Sequence, residues 1–427
     1  MAGNLKARLE RIRSQGSGSI KPLENLAPVQ GSDTAPAGIA LSFPPPWLVL
    51  DPLVLFRREL IPLKDENRGT WSWDSPVSVP PDFLEILFHT GRSYTKGLCP
   101  EELLFFDLET TGLSGGAGTV AFLAAFGEIR DSYLEVRQYL LLDYPGEPIL
   151  ISYIEQELNK KPAAVLVSYN GKAFDTQILR SRFILQGKFL PDKDHIDLLY
   201  ISRLLWRGLL PSCSLSSLES LILQNERQGD IPGALAPQLW FSFLREGTQG
   251  QALKDLLAVC EHNLLDIKGL AALFSLILSI GANPLGSLAD TTFNLDRLAL
   301  VWPDGENRRR FLHEAARGGS ARALYELARL ARLEKDWERY RQYLEEVLES
   351  PQPKATGVRL RASIALASYY EWKKRDLEHA EVYTRRALGL LEALSAERLM
   401  AGAKGPPPSI NMKLKKRLER ILSKSRL

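Results

Sequence analysis

The pattern of apolar and polar positions changes character near residue 103. From there, short continuous apolar runs, typical of buried strands, are bounded by turn residues, and longer segments with a helical period follow. The predicted strands cover residues 103–108, 120–126, 133–142 and 164–168, and the predicted helices cover 148–159, 174–185 and most of 197–280. This order of elements predicts an α/β fold over residues 100–282, with a mixed sheet flanked by helices.

The chain before this region is richer in residues that interrupt regular structure. Residues 1–39 include a stretch of Gly, Ser, Pro and Ala, which predicts a flexible N-terminal segment. Residues 40–99 contain two proline clusters and several aromatic residues. They predict an ordered but irregular lead-in with a short helix at 82–89.

The chain after residue 282 predicts an all-α region. Residues 283–306 are interpreted as a linker, and residues 307–395 contain two similar pairs of predicted helices. The breaks within the pairs are expected near Lys335-Asp336 and Arg375-Asp376. Helix pairs of this length in tandem are typical of tetratricopeptide-like repeats. Because two repeats bury little surface alone, we expect them to pack on the preceding domain.

Charge is concentrated at the C-terminus. The 427-residue chain has a net charge of only +3, but from Lys404 onward there are eight Lys or Arg residues and one acidic residue. Residues 396–427 are therefore a basic tail on a mildly acidic body. This asymmetry indicates contact with a polyanion, and a solvated tail that only aids solubility is an equal alternative.

The cysteines and apolar runs indicate a cellular compartment. The three cysteines have no metal-ligand spacing and suit a reducing cytoplasm. The N-terminus has no apolar run of the kind found in secretory signals. The longest apolar run, residues 269–282, is too short and too interrupted by Ser and Gly to span a bilayer. The sequence thus predicts a cytoplasmic protein without a membrane segment.

Candidate chemistry begins where the first predicted strand of the α/β region ends. Asp107 and Glu109 lie two residues apart on an apolar strand, so their side chains point to the same face. A carboxylate at such a place is costly unless it is paired or coordinates a metal. Two together can hold hard divalent cations. The alternative is an edge strand with two solvated acids.

Further acids occur on predicted helices. Asp175 lies in the first turn of a helix after the Asn170-Gly171 turn, where an ordinary helix-start Asp is the alternative. His262 and Asp266 are four residues apart and share a helix face. A His beside a metal-bound carboxylate can accept a proton from water, and a surface His–Asp pair is the alternative. The glycines at 115–118 fit no phosphate-loop pattern and are interpreted as a turn.

Taken together, these segments resemble the Asp-Glu-Asp-Asp exonucleases of the ribonuclease-H-like superfamily, and more narrowly the YprB-type predicted exonuclease family. The matching stretches, in the family's order, are 107–112, 170–175, 195–199 with 202–206, 230–233 and 262–266. The helical repeats that follow are also similar to that family's arrangement. The resemblance implies a ribonuclease-H-like fold followed by tetratricopeptide-like helices.

The resemblance also implies a metal site and a mechanism. Asp107, Glu109, Asp175 and Asp266 are expected to bind two divalent ions, Mg²⁺ or Mn²⁺, for phosphodiester hydrolysis. His262 is the candidate for orienting or deprotonating the attacking water. In the superfamily this role commonly belongs to a His five residues before the last Asp or a Tyr four before it. Here Glu261 and His262 occupy those positions, so a His base and activation by metal alone both stay open.

The expected partner is nucleic acid, DNA or RNA, entering as a single-stranded 3′ end. The candidate substrate contacts are Thr110, Thr111, Asn170, Lys172 and Arg203, with ordinary surface roles as the alternative. Asp197 is interpreted either as an additional acid or as a helix cap. The repeats are expected to offer a surface for a protein partner.

Two functions follow from these patterns. The first is a metal-dependent 3′–5′ exonuclease. The second is a catalytically weak or inactive nucleic-acid-binding scaffold, which would use the same fold and the helical repeats to bind partners.

Overall fold

The computed structural model describes residues 43–63, 79–88, 98–112, 118–227, 229–248, 250–289 and 291–425. The chain forms two compact units that divide between Thr292 and Phe293. The predicted flexible segment at 1–39 and most of the predicted glycine turn lie outside the described residues.

A seven-stranded mixed sheet forms the centre of the first unit. Its strands are β1 (Leu48–Asp51), β2 (Val54–Pro62), β3 (Leu103–Thr110), β4 (Ala121–Arg130), β5 (Tyr133–Leu141), β6 (Val165–Ser168) and β7 (His195–Asp197). The strand order is β1-β2-β5-β4-β3-β6-β7. Strands β1 to β5 pair antiparallel with their neighbours, whereas β3, β6 and β7 run parallel. The predicted α/β class with a mixed sheet is confirmed.

Helices surround this sheet in the order expected for the fold. They are α1 (Pro81–Phe88), α2 (Glu147–Lys160), α3 (Asp175–Leu185), α4 (Leu198–Trp206), α5 (Leu215–Leu221), α6 (Ala236–Glu246) and α7 (Gln251–Ala282). The predicted strands at 103–108, 120–126, 133–142 and 164–168 and the predicted helices at 148–159 and 174–185 are confirmed to within a few residues. Observed β4 extends four residues beyond its prediction, to Arg130.

The prediction of an irregular lead-in at 40–99 is wrong for part of that range. Strands β1 and β2 lie there, and β2 pairs with β5 along its whole length. Charged residues at Arg57, Arg58 and Glu59 interrupt the apolar pattern of β2 and conceal it, although Arg57 is buried in the fold. Strand β7 was also missed, because three residues are too few to show a period.

The register of the sheet decides which face carries the chemistry. Asp107 pairs with Ala125, and Ala125 pairs with Gln138, so these three side chains share one face. Helix α7 packs on that face. At Gly127, an added Cβ would lie 2.6 Å from Ile267 Cγ2, so the absence of a side chain lets α7 approach β4 closely.

Helix α7 is also the only helix of the described residues that is long and apolar enough to cross a membrane by length and composition. In the structure, 72% of its apolar window is buried. Burial within the fold therefore accounts for its apolar character.

The second unit is all-α. Its helices are α8 (Leu295–Val301), α9 (Gly305–Arg317), α10 (Ala321–Leu333), α11 (Trp337–Glu349), α12 (Thr356–Ser368), α13 (Leu377–Met400) and α14 (Pro408–Lys424), with a π-helical turn at Tyr369–Lys374. The breaks expected near Lys335 and Arg375 are confirmed, and both residues have positive φ. The predicted linker at 283–306 is wrong in part, because α8 lies within it and buries Leu298. The tetratricopeptide-like character stays a prediction.

Candidate metal centre

Four carboxylates from three elements meet at one edge of the sheet. Asp107 and Glu109 lie near the carboxyl end of β3, and Asp175 begins α3 just beyond β6. Because β3 and β6 are parallel neighbours, their carboxyl ends lie at the same edge. Helix α7 crosses this face and supplies Asp266. The structure thus brings together the four acids that the sequence singled out.

Burial and neighbouring negative charges raise the pKa values of Asp107, Glu109 and Asp175. Burial raises the pKa of Asp107 well above its usual value, and the charges of Asp266, Asp175 and Glu109 raise it further. Burial and the charges of Asp266 and Asp175 likewise raise the pKa of Glu109. Burial, followed by the charge of Asp197, raises the pKa of Asp175 to about 7. Such a cluster favours a compensating cation.

Part of the cluster has the geometry of a metal site. Glu109, His262 and Asp266 each offer one ligand atom, and these atoms all lie within 4.8 Å of one another. Carboxylate oxygens suit Mg²⁺ and Mn²⁺, and they supply two of the three ligand atoms. The residues present therefore fit a divalent cation, and Asp107 and Asp175 lie near enough to interact electrostatically with this group.

An amide relay fixes the orientation of Asp107. Asn263 is fully buried, and its Nδ2 donates a hydrogen bond of 2.7 Å to Asp107 Oδ2. Gln138 Nε2 in turn donates to Asn263 Oδ1 at 3.0 Å and to the Cys260 carbonyl at 2.8 Å. Partners of this kind orient metal-binding carboxylates. The sequence placed Asn263 near the site but gave it no role, and it gave no signal for Gln138.

Replacing Asn263 with Ala should lower metal-dependent cleavage by about 10–100-fold, the usual cost of losing an outer partner of a metal ligand. We expect the metal concentration that gives half-maximal activity to rise as well, because Asp107 loses its fixed orientation. A metal titration of cleavage rates in the wild type and the variant measures both. A lower rate at an unchanged metal requirement would assign Asn263 to packing alone.

His262 lies between two carboxylates. Its Nδ1 is 2.8 Å from Asp230 Oδ1, and its Nε2 is 3.3 Å from Asp266 Oδ2. A Cβ added at Gly233 would lie 2.9 Å from His262 Nε2, so the loop passes close beside the ring. Asp230 and Gly233 belong to the stretch that carried part of the family resemblance. The sequence nevertheless assigned no role to Asp230.

Arg227 is the charged residue that sequence reasoning missed. Its Nη2 donates to Asp266 Oδ1 at 2.7 Å, and its Nη1 donates to Asp230 Oδ2 at 3.0 Å. Its Nε lies 2.7 Å from a buried carboxylate oxygen of Glu219. Arg227 therefore already neutralises one oxygen of a candidate metal ligand. No spacing rule could have found it, because it lies on an irregular segment between α5 and α6.

In the turn before Asp175, the backbone of Gly171 lies close to the side chains of Ser168 and Asp175. A Cβ at Gly171 would lie 2.4 Å from Ser168 Oγ and 3.1 Å from Asp175 Oδ2, so any larger residue would displace that carboxylate. Asp197 accepts hydrogen bonds from the backbone N–H groups of Asn170 and Lys172, at 2.7 and 3.1 Å.

Asp197 also accepts a hydrogen bond from the Leu199 N–H at 3.1 Å at the start of α4. The helix-cap interpretation of Asp197 is therefore confirmed. The same carboxylate fixes the turn that precedes Asp175, and it is close enough to shift the pKa of that acid.

The residues predicted to contact the substrate lie in different surroundings. The Thr110 and Thr111 hydroxyls bond the Gly112 carbonyl and the Val120 N–H, both at 3.0 Å, which fixes the end of β3. Arg203 is exposed on α4. Glu261, at the alternative base position, forms an ion pair with Arg57 of β2 instead of joining the cluster.

Lys172 and Asn170 flank the Asp175 turn. Lys172 lines a cavity of about 310 Å³ together with Arg180, Lys193 and His195. Burial and the charge of Lys172 lower the pKa of His195 to about 4. His195 is therefore neutral at pH 7, and the positive charge of the cavity comes from Lys and Arg.

Comparison with known proteins finds similarity over the same region of the chain. Residues 104–278 match the family model described as the RNase H superfamily. The "Uncharacterized protein YprB" of Bacillus subtilis (strain 168) is 33% identical over 235 residues, which are 54% of this chain and 54% of that protein. The chain thus matches about half the length of this relative.

One solved structure is also similar in part. The family B DNA polymerase from the hyperthermophilic archaeon Pyrobaculum calidifontis is 15% identical over 47% of this chain and 28% of that chain, with a TM-score of 0.32. A similarity this weak decides nothing about function.

Proposed function

We propose that the protein is a metal-dependent nuclease that hydrolyses phosphodiester bonds of nucleic acid as a 3′–5′ exonuclease. The premise is the match of residues 104–278 to the RNase H superfamily and the similarity of the chain to YprB. The observation that carries the proposal is the meeting of four carboxylates at one sheet edge, where the charges of Glu109, Asp175 and Asp266 raise the pKa of Asp107. Such an arrangement is unfavourable alone and becomes favourable with bound cations.

Each acid has a role in the proposal. Asp107, held by Asn263, lies centrally among the acids and would be shared by two Mg²⁺ or Mn²⁺ ions. Glu109 and Asp266 would complete one ion's ligands, and Asp175 would contribute to the other, directly or through water. The bound ions would supply the charge that activates water and stabilises the leaving 3′-oxygen.

His262 is proposed as the acceptor of the water proton. Asp230 lies at its Nδ1, which favours a proton on that nitrogen and leaves the lone pair of Nε2 free. Nε2 points toward Asp266 and Glu109, where the ions would lie. This geometry supports a base at position 262 in place of the expected Tyr.

The substrate is proposed to enter past the Asp175 turn. Lys172, Arg180 and Lys193 line the adjoining cavity, and their charges would attract the phosphates of a single strand. Asn170 lies on the same turn. Thr110 and Thr111 would act by fixing the β3 end, and Arg203 would contact the strand farther out.

Digestion of 5′-labelled single-stranded and duplex DNA and RNA tests the proposal. With Mg²⁺ or Mn²⁺ we expect a ladder that shortens from the 3′ end, and chelation should stop it. Internal cuts would indicate an endonuclease, and release of the label as a mononucleotide from the start of the reaction would reverse the polarity. No cleavage of any substrate with either metal would contradict the nuclease proposal.

A second candidate function is a nucleic-acid-binding scaffold that no longer cuts. The observation that favours it is the ion pair between Arg227 and Asp266, because a guanidinium on a ligand oxygen competes with a metal. It predicts strand binding without turnover. If Arg227→Gln then cleaves in Mn²⁺ while the wild type does not, the guanidinium is the reason for inactivity.

The metal-free protein should become more stable when Glu109 is changed to Gln, because one of several repelling carboxylates is removed. We expect a gain of about 1 kcal/mol, or about 2–4 °C in the melting temperature. Mn²⁺ should raise the melting temperature of the wild type by mass action and that of the variant much less. Thermal unfolding with and without Mn²⁺ measures both effects, and Glu101→Gln, on an exposed residue just before β3, is the matched control. An equal Mn²⁺ shift in both proteins would remove Glu109 from the metal site.

A further inference from the structure

The second unit contains a cavity lined by aromatic and positively charged residues. Its volume is about 590 Å³, within the range of sites that hold a nucleotide-sized ligand. Helices α10, α11, α12 and α14 and the π-helical turn contribute its walls. The aromatic residues that line it are Tyr325, Trp337, Tyr340, Tyr369 and Trp372.

Positive charge is placed among these rings. Arg332, Arg361, Lys373 and Arg417 line the cavity, and no acidic residue does. The Arg361 guanidinium lies 5.3 Å from the centroid of the Tyr325 ring. In the part of the chain that the structure describes, no carboxylate forms an ion pair with Arg332, Arg361 or Lys373. Lys373 instead lies 4.6 Å from the centroid of the Trp337 ring, so these cations contact aromatic faces and not acids, which favours an anionic ligand.

Two further features point to a ligand. Tyr369 is buried, and among the described residues its hydroxyl has no hydrogen-bond partner. A buried hydroxyl without a partner is costly, so a group that completes its hydrogen bonding would be stabilising. Tyr369 also begins the π-helical turn, which carries Trp372 and Lys373 into the wall. Single π turns inside helices occur frequently at functional sites.

We propose that this cavity binds a nucleotide unit of a single-stranded nucleic acid. The base would stack on the indole ring of Trp372, which is largely exposed, and the phosphates would contact Arg332, Arg361 and Lys373. The inference deepens the proposed nuclease function, on which it rests for its ligand class, by adding a strand-binding site outside the metal centre. An acidic peptide is the competing ligand, but the density of aromatic faces beside the cations favours bases.

Binding without catalysis tests the site. The probes are 5′-labelled oligothymidylate DNA and oligoadenylate RNA, added to the full-length protein in EDTA. Under these conditions the acids of the first unit cannot hold phosphate through a metal ion. Arg361→Ala combined with Lys373→Ala should weaken binding about tenfold or more and flatten its salt dependence. Lys254→Ala with Arg310→Ala, which removes two exposed cations outside both the cavity and the basic tail, should change it less than twofold.

The contribution of base stacking to binding is tested separately. Trp372 is 59% exposed, so Trp372→Ala should leave the fold intact and weaken binding about fivefold or more. An abasic strand of equal length should bind the wild type and Trp372→Ala alike. Tyr369→Phe should also weaken binding, because the ligand loses its hydroxyl partner.

Several results would overturn the inference. The first is an unchanged affinity of the cavity variants for the oligonucleotide. The second is competition by oligoglutamate as strong as that of the oligonucleotide, which would indicate a peptide site. The third is equal competition by a free mononucleotide. Failure of the proposed nuclease function would give a different result. The protein would not cleave in Mn²⁺, although its binding of the oligonucleotide in EDTA would still depend on Arg361 and Lys373.

Discussion

Asp107→Asn should abolish metal-dependent cleavage, with a rate loss of at least about 1,000-fold. Asp107 is the acid whose pKa responds to all three of the other carboxylates, so it lies at the electrostatic centre of the site. Asn has nearly the same shape, but it lacks the negative charge that would hold cations there. A loss of about 4 kcal/mol in transition-state stabilisation corresponds to this factor.

The measurement is a single-turnover digestion of a labelled strand with Mn²⁺, with wild type and variant side by side. Asp131→Asn is the matched control, because Asp131 lies in the exposed β4–β5 turn of the same sheet. It also has a positive φ, which Asn adopts readily. The control should cleave at the wild-type rate. Undiminished cleavage by Asp107→Asn would refute the assignment of the metal site.

Arg137→Met should lower the free energy of unfolding by about 3–5 kcal/mol, because it removes the cation at the centre of a buried group of ion pairs. The Arg137 side chain is 3% exposed and contacts Glu128, Glu135 and Glu157. Met has a similar length and no charge, so the variant leaves three buried carboxylates with less compensation. The cations that remain nearby, such as Lys160 on Glu157, would limit the loss.

Urea unfolding measures this cost, with Arg130→Met as the matched control. Arg130 also contacts Glu128 and Glu135, but it is 51% exposed. Exposed ion pairs contribute little, so the control should lose less than about 1 kcal/mol. If both variants lost the same stability, burial of the Arg137 network would not be the cause.

The same substitution should change the dependence of stability on pH. Burial raises the pKa of Glu128, but Arg137 and Lys161 more than offset this and lower it from 4.5 to about 2. The wild type therefore keeps this stabilisation above about pH 4.5 and loses it as the pH falls toward 2. Without Arg137 only Lys161 still lowers this pKa, so the deficit of the variant should be largest near pH 7 and shrink in acid. A deficit independent of pH would contradict this.

Local patterns explain why much of the site could be predicted. Asp107 and Glu109 share a face because strand side chains alternate, and His262 and Asp266 share a face because helix residues four apart do. The helix-cap alternative for Asp197 was also predictable, because a cap residue directly precedes its own helix in the sequence. Apolar runs were sufficient to predict β3, but the charges of β2 obscured a strand that becomes buried only by pairing with β5.

The sequence by itself thus determined the α/β class, the order of most elements, the four acids and their candidate His, because these depend on short periods and on motifs within single elements. Only the tertiary structure decided which groups surround those acids. Asn263 reaches Asp107 across 156 residues of chain, and Arg227 reaches Asp266 from an irregular loop. The free energies of such contacts depend on strand register and helix placement, and no local period encodes them.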